Sequence, residues 1–366
     1  MKKIAIITFH RAHNYGAVLQ SYALKRAINS IDGCDAEIVD YLNVEWAGWH
    51  RKLIDLTFIK HIMKSFFLFP FFKRKNRVFS NFINAYLVGE SQKKYDSKII
   101  IEYGDADLFI AGSDQIWNHA IKGSDNTYFL NFVAEKSKKY SYAASFGDEE
   151  GFYANEGECI SHLSTFAEVS LREPIGYREL TKQIGKPHVH IDPTLLLSAG
   201  EWRDFAKNRE MGEKYILFYT VFPPDKLGEY AKFLSRQLKL KVLVLPAGAR
   251  SLLKKPFCKK IPVASPCEFV SIIANAEYVF TTSFHGVAFS ILFRRKFFTE
   301  LKNKGKLNCR VDNLLKLFEL KDRAIEYFNG DFNKGIDWEA VEAKLSDERK
   351  KSFDYLERIC GSSVLS

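Results

Sequence analysis

The sequence lacks the cysteine patterns of a disulfide-rich or zinc-binding protein. Its six cysteines are scattered and form no close group with each other or with histidines; they are Cys34, Cys159, Cys258, Cys267, Cys309 and Cys360. Disulfide frameworks are typical of small secreted domains, and zinc needs ligands at close spacing. We therefore expect reduced thiols and no metal site.

The sequence also lacks an apolar run long and clean enough to cross a bilayer. The best candidate, residues 53–72, is interrupted by Asp55, Lys60 and Lys64. Residues 4–9 follow two lysines, but this run is too short for the apolar part of an export signal and is typical of a first strand. We expect a cytoplasmic protein.

No internal repeat, low-complexity tract or nucleic-acid-binding module is present, so nucleic acid is not an expected partner. There are 54 basic and 44 acidic residues, a net charge of +10, which attracts phosphates, carboxylates and anionic membranes alike. Hydrophobic residues make up 46% of the 366 residues, as in a globular protein. This length exceeds one comfortable core and predicts two domains.

Apolar runs alternate with helical spacing along most of the chain, which predicts parallel α/β units. The predicted strands are residues 3–9, 36–41, 107–111, 139–145, 168–171 and 188–192 in the first part, and 215–221, 241–245, 278–282 and 296–299 in the second. We therefore predict two Rossmann-like, doubly wound domains that face each other across a cleft.

The predicted N-terminal domain is residues 1–200, and the predicted C-terminal domain is residues 213–330. A final helix is expected within 331–366, beginning near Asp337. Residues 45–95 interrupt the first domain as a helical insertion rich in Phe, Lys and Arg. The plainer interpretation is a helical subdomain, but a basic amphipathic stretch also fits peripheral contact with an anionic membrane.

Two polar loops follow predicted strands of the first domain. In an open α/β sheet, ligands bind at the carboxyl ends of the strands, where helix N-termini attract anions. The candidate cleft residues are Arg11, His13, Asn14, Tyr15 and Gly16 in the first loop, and Ser113, Asp114, Gln115, Trp117 and Asn118 in the second. The alternatives are an ordinary turn for the first loop and helix capping for the second.

Two further strand ends carry residues suited to an anionic ligand. Arg172 can grip a carboxylate or phosphate through two parallel hydrogen bonds, although a pair with Glu173 is an equal alternative. His285 lies between a strand and a helix, a position suited to acid–base work or anion contact, although a lone histidine is often structural.

These segments together resemble the polysaccharide pyruvyl transferase family. The matching pieces are residues 14–20 (NYGAVLQ), 112–118 (GSDQIWN), 170–173 (SLRE), 192–194 (DPT) and 283–286 (SFHG). The resemblance covers nearly the whole chain outside the insertion. It implies a fold similar to GT-B glycosyltransferases, phosphoenolpyruvate as donor, a sugar hydroxyl pair as acceptor, and a cyclic ketal as product.

The resemblance also implies roles for particular residues. His285 matches the catalytic histidine of the family, Arg172 a donor-binding arginine, and Ser283 and Gly286 flank the histidine at the donor site. Better-studied members have an arginine where this chain has Ser283. Arg294, Arg295 or Arg11 could supply the missing cation.

Phosphoenolpyruvate needs cations and helix N-termini but neither a metal nor another cofactor. His285 is expected to act as the acid, and Asp114, or another group of its loop, as the base. The expected acceptor is a sugar or a lipid-linked oligosaccharide of an exopolysaccharide or capsule precursor. The alternatives are a GT-B glycosyltransferase that uses a nucleotide-sugar, and a non-catalytic sugar-binding relative.

Overall fold

The computed structural model describes residues 1–43, 59–89, 92–104, 106–206, 212–246, 258–261, 263–301 and 308–361, with backbone only for 59–68, 258 and 260. Two parallel sheets organise these residues, one in each half of the chain. The domain limits predicted from the sequence stay a prediction.

The first sheet has the strand order β2-β1-β3-β4, and β5 and β6 extend it through bridges to the segment that contains β4. Its strands are β1 (Lys2–Ile7), β2 (Cys34–Ile38), β3 (Leu108–Ala111), β4 (Lys139–Ser141), β5 (Ser170–Leu171) and β6 (His188–Val189). The helices of this half are α1 (Tyr15–Ile28), α2 (Ile59–Phe82), α3 (His119–Lys122), α4 (Glu149–Tyr153), α5 (Glu156–Leu163), α6 (Tyr177–Ile184) and α7 (Ala199–Ala206).

The second sheet has the order β11-β10-β7-β8-β9, and all of its pairs are parallel. Its strands are β7 (Tyr215–Thr220), β8 (Lys241–Pro246), β9 (Cys258–Lys260), β10 (Tyr278–Thr281) and β11 (Lys296–Thr299). The helices are α8 (Leu227–Leu238), α9 (Pro266–Ala274), α10 (Phe284–Leu292), α11 (Cys309–Leu317) and α12 (Trp338–Cys360).

The strands of the first sheet are shorter than the sequence predicts, and β4 and β6 differ most. Strand β4 ends at Ser141 instead of continuing to residue 145, and Ala143 has a φ of 46°. A left-handed residue breaks the extended conformation of a strand. Strand β6 ends at Val189, and the chain reaches Asp192 before a 3₁₀ turn over Pro193–Leu195.

Residues 59–87 of the predicted insertion are helical. Helix α2 contains Pro70 and continues into a π-helical turn over Ile83–Leu87. Phe79 is buried against Tyr15 of α1, with ring centroids 5.1 Å apart. The remainder of the predicted insertion lies partly outside the described residues.

The last helix packs against the first half of the chain. The Tyr355 hydroxyl donates to the carbonyl of Ser141, and the Arg349 guanidinium donates to the carbonyls of Leu195 and Leu197. Lys2 donates to the carbonyl of Ile359. Helix α12 therefore returns from the second sheet to close the core of the first. Within the described residues, every helix is too short or too polar to pass through a bilayer.

The two halves share a continuous apolar core. Tyr15 at the start of α1 stacks on Phe269 of α9, with ring centroids 4.4 Å apart and planes within 5°. Its hydroxyl donates to the carbonyl of Ala264 at 2.9 Å. Burying both rings removes a large apolar area from water. This contact fixes how the strand ends of one sheet face those of the other.

Candidate active site

A cavity of about 400 Å³ lies where the strand ends of the two sheets meet. Both halves of the chain line it, and this volume is within the usual range for small-ligand sites. Its lining residues are Phe9, Ala12, His13, Asn14, Ala17, Asp114, Gln115 and Ile121 from the first half, and Val221, Phe222, Thr282, Ser283, Phe284, His285, Asn308 and Arg310 from the second.

His285 enters the cavity from the first turn of α10. Ser283 caps this helix and accepts a hydrogen bond from the Gly286 N–H at 3.3 Å. A glycine is needed at position 286 because a Cβ there would lie 2.4 Å from the Thr281 hydroxyl. The free N–H groups and the helix dipole make this turn favourable for an anion.

The imidazole of His285 packs directly on Gly16 of α1. A Cβ added to Gly16 would lie 1.9 Å from Nδ1 of His285, far inside van der Waals contact. This close approach is a contact between the two halves of the chain. The contact explains why residue 16 is a glycine, because only a residue without a side chain leaves space for the imidazole.

Asp192 is the charged partner of His285. Its Oδ2 lies 3.5 Å from Nε2 of His285 and 2.9 Å from Nη1 of Arg172. Its Oδ1 accepts from the N–H of Thr194 at 3.0 Å and from the Thr194 hydroxyl at 2.7 Å. Burial alone would raise the pKa of Asp192, but His285, Arg172 and the Thr194 N–H outweigh burial and hold that pKa well below its ordinary value.

Arg172 lies behind this pair rather than on the cavity wall. Its side chain is 2% exposed and has carboxylate oxygens of Asp192, Glu173 and Asp114 at 2.9, 3.4 and 3.6 Å. The guanidinium also lies 4.8 Å from the ring centroid of Phe284. Burial would lower the pKa of Arg172, but the three carboxylates raise it above its ordinary value. Arg172 therefore neutralises and orients the carboxylates.

Asp114 lines the cavity directly after β3. Its φ of 73° is left-handed, a conformation that aspartate tolerates better than most residues and that turns the chain sharply. The Asp114 carbonyl accepts from the Ser145 N–H at 3.0 Å, which fixes the turn. Among the described lining residues, Asp114 is the only carboxylate, so it is the lining group suited to accept a proton from a hydroxyl.

Asn308 and Arg310 are polar lining residues that the sequence patterns do not indicate. Asn308 donates to the carbonyl of Thr282 at 3.3 Å, which ties the start of α11 to the turn before His285. Arg310 is partly buried in the first turn of α11. When the Gln115 carboxamide turns its oxygen towards Arg310, that oxygen accepts from Nη1 and Nη2 at 3.2 Å each. Neither residue follows a strand directly, so strand-end reasoning could not find them.

The first loop is split between the cavity and the core. His13 and Asn14 line the cavity, and Asn14 also caps α1 by accepting from the Gly16 N–H at 2.9 Å. Tyr15 points away into the contact between the halves. Arg11 forms an ion pair with Asp40 and does not line the cavity; the Arg11 Nε lies 2.6 Å from Oδ1.

The second loop is divided in the same way. Asp114 and Gln115 line the cavity, whereas Ser113 is buried and donates to Asp192 Oδ2 at 3.4 Å. Trp117 is in the core, where its indole N–H donates to the Tyr128 carbonyl at 3.0 Å. Asn118 caps α3 by accepting from the Ala120 N–H.

Arg294 and Arg295 lie away from the cavity, beyond the last turn of α10. The nine residues of that helix span about 14 Å, so its two ends cannot serve one small ligand. Arg294 is exposed beside Glu342 at 3.4 Å, and Arg295 donates to the carbonyl of Phe293 at 2.9 Å. The structure therefore does not bring either cation to the position left open by Ser283.

The described side chains include no group of three or more His, Cys, Asp or Glu residues arranged to hold a metal ion. The site instead combines three carboxylates, two guanidinium groups and the imidazoles of His285 and His13. Such a cluster, placed at two helix N-termini, suits the binding and proton transfer of a small anion.

Likeness to solved structures defines the class of fold. UDP-GlcNAc 2-epimerase from Methanocaldococcus jannaschii, in complex with UDP-GlcNAc and UDP, aligns with a TM-score of 0.52 at 14% identity, covering 98% of this chain and 99% of that chain. The ADP-heptose LPS heptosyltransferase II of E. coli is less similar, with a TM-score of 0.39 at 11% identity and coverage of 95% and 99%. The predicted two-domain, GT-B-like α/β fold is confirmed.

The family follows from the sequence itself. The model of the family described as polysaccharide pyruvyl transferase matches residues 14–299, more than half of the chain, and the chain belongs to that family. The matched range includes Asp114, Arg172, Asp192 and His285, and it ends before Arg310. No curated protein sequence matches the chain.

Proposed function

We propose that this protein transfers a pyruvyl group from phosphoenolpyruvate to two hydroxyls of a sugar in a surface polysaccharide precursor, on the cytoplasmic side of the membrane. The product is a cyclic ketal with release of inorganic phosphate. The observation that carries the proposal is His285 in the cavity, at a helix N-terminus, with the Asp192 carboxylate 3.5 Å from its Nε2.

In the proposed first step, the methylene carbon of phosphoenolpyruvate takes a proton from the His285 imidazolium. This leaves an oxocarbenium-like centre at C2 that a sugar hydroxyl attacks. Asp192 is the charged partner that orients the imidazole and balances its positive charge. Because Nε2 faces Asp192, the proton is proposed to leave from Nδ1, on the side of the ring where Gly16 has no side chain.

In the proposed second step, Asp114 accepts the proton of the attacking hydroxyl. The C2–O bond to phosphate then breaks, and the second sugar hydroxyl attacks C2 to close the ketal. Of the two hydroxyl protons, one replaces the proton that His285 gave to the methyl group and the other leaves with phosphate. No oxidant, metal or further cofactor is needed for this balance.

Helix α2 supports a proposed contact with a membrane that carries a lipid-linked acceptor. Phe69 is 56% exposed, and Lys73, Arg74 and Arg77 are exposed on the same helix. Its buried Phe79 lies 5.6 Å from the ring of His13, which lines the cavity. Co-sedimentation with vesicles of anionic lipid, lost in a Lys73→Glu/Arg77→Glu variant, tests this contact.

The proposed function is tested by thermal-shift titration with phosphoenolpyruvate and with UDP-sugars, followed by phosphate release with a panel of hexose acceptors. A saturable shift with phosphoenolpyruvate is expected, because binding to the folded state stabilises it. His285→Ala should lower phosphate release by about 10²- to 10⁴-fold, the range typical of acid–base groups. A shift with UDP-sugars alone would instead identify a glycosyltransferase, and no shift with either would favour a non-catalytic relative.

A further inference from the structure

The family match does not identify the cation that contacts the donor, because the position of the expected arginine is Ser283, which carries no charge. A donor with a carboxylate and a phosphate needs a guanidinium or ammonium group on the cavity wall. Among the described residues that line the cavity, Arg310 is the only lysine or arginine. Arg172, the expected donor-binding residue, does not line it.

Most of the Arg172 guanidinium already contacts carboxylates; among the described residues, only its Nη2 makes no hydrogen bond. Three carboxylates lie within 3.6 Å of its guanidinium, and the Phe284 ring covers one face. Turning this side chain towards a ligand would leave buried carboxylates without a partner, which is strongly unfavourable. Its position suits a residue that holds Asp192, and through Asp192 the ring of His285.

Arg310, unlike Arg172, lies on the cavity wall and at a place unfavourable for a positive charge. It lies in the first turn of α11, where the helix dipole disfavours a positive charge. Burial lowers the pKa of Arg310, and the nearby Arg172 lowers it further, while Asp114 and Glu173 act in the opposite direction. A partly buried cation at a helix N-terminus is locally unfavourable, and residues in locally unfavourable positions are typical of functional sites.

The neighbours of Arg310 aim it at the cavity. With its oxygen turned towards Arg310, the Gln115 carboxamide accepts from both terminal nitrogens at 3.2 Å. Asn308 ties the start of α11 to the Thr282 carbonyl, and Cys309 donates to the carbonyl of Gly147 at 3.1 Å. These contacts keep Arg310 on the wall of the cavity that Ser283 and the first turn of α10 also line.

We infer that Arg310 is the residue that binds the anionic donor directly, and that Arg172 is a positioning residue; this inference rests on the proposed function. The planar guanidinium of Arg310 can hold the carboxylate or the phosphate through two parallel hydrogen bonds. The ligand class is a small dianion or trianion that carries one of these groups. Arg310 thus replaces the arginine that Ser283 does not provide.

The experiment is isothermal titration of the full chain with phosphoenolpyruvate and, separately, with inorganic phosphate. Arg310→Gln should weaken phosphoenolpyruvate binding about 10- to 100-fold, as expected for loss of a charged hydrogen bond. Arg310→Lys should keep part of the affinity, because lysine keeps the positive charge but cannot donate the two parallel hydrogen bonds of a guanidinium. Lys316→Gln is the matched control: it removes one charge from the exposed side of the same helix, where Lys316 pairs with Asp312 at 2.5 Å.

The outcomes separate this inference from the proposed function. If the wild type binds phosphoenolpyruvate and Arg310→Gln binds it within twofold, the role of Arg310 is wrong and the proposed function stands. If the wild type binds only phosphate and Arg310→Gln loses that binding, the anion site stands and the pyruvyl donor does not. If the wild type binds neither anion, both are wrong. A melting temperature lowered in Arg310→Gln with unchanged affinity would mark a merely structural role.

Discussion

Gly16→Ala tests the site with a small change, because it adds only one methyl group. The new Cβ would lie 1.9 Å from Nδ1 of His285, whereas ordinary contact begins near 3.4 Å. The imidazole must therefore move by about 1.5 Å, the difference between these two distances. Misplacing a reacting group by about 1 Å can cost about 10²-fold in rate.

The effect on stability has two opposing parts. Alanine is favoured over glycine in a helix by about 1 kcal/mol, whereas overpacking a buried site costs about 1–3 kcal/mol. In the wild type we expect a net loss of about 1 kcal/mol in the free energy of unfolding. His285→Ala removes the three atoms nearest to the new Cβ, and Gly16→Ala should then stabilise by up to about 1 kcal/mol.

Urea denaturation of the wild type, the two single variants and the double variant measures the effect of Gly16→Ala on the free energy of unfolding. The sign of that effect should differ with and without the imidazole, and no substrate is needed for the measurement. Gly157→Ala is the matched control, because Gly157 is also the second residue of a helix and a Cβ there meets nothing within 4 Å. It should be neutral or slightly stabilising in both backgrounds. The same effect of Gly16→Ala with and without the imidazole would refute the contact between the two halves.

The remaining predictions concern the partners of the site. Asp192→Asn should lower activity more than 100-fold, checked by phosphate release, and should lower the free energy of unfolding by about 3 kcal/mol because buried Arg172 loses a charged partner; retention of both would contradict the role of Asp192. Burial is the main reason that the pKa of His190 falls to about 3. The unfolded chain then binds more protons than the folded one, and stability should fall by up to about 1.4 kcal/mol per unit as the pH drops from about 6.5 towards 3. His190→Gln should flatten urea midpoints across that range, and an unchanged slope would exclude His190 as the cause. Tyr15→Phe should cost about 1–3 kcal/mol in urea denaturation by leaving the Ala264 carbonyl unpaired, without changing phosphoenolpyruvate affinity; a large affinity change would mean that Tyr15 contacts the ligand.

Much of this arrangement could be predicted because parallel strands end at one edge of a sheet. Asn14, Asp114 and His285 each follow a strand of the parallel sheets, and all three line the same cavity. The positions of Tyr15 and Trp117 were harder to predict. Both follow polar loop residues, but their rings find partners in the core, where aromatic burial outweighs any contact with a ligand.

The position of a cation depends on the three-dimensional path of the chain and not on its distance along the sequence. Arg294 is nine residues from His285, but a helix carries it to the far end of α10. Arg310 is farther along the chain, and tertiary contacts of Asn308 and Cys309 return it to the cavity. The length of α10 is enough to exclude Arg294 from the cavity. No local sequence pattern predicts that the start of α11 lies beside the cavity.

Two helix N-termini in the second half of the chain differ in whether an internal carboxylate already occupies them. The start of α8 is already occupied by an internal anion: Glu300 accepts from the N–H groups of Asp225, Lys226 and Leu227 at 2.5, 3.0 and 2.7 Å. A carboxylate that satisfies three backbone donors has little capacity left for ribose hydroxyls, and its charge repels a phosphate. The N-terminus of α10, capped only by Ser283, faces the cavity instead. Of these two helix N-termini, the start of α10 is therefore the one left open to the small anion of the proposed function.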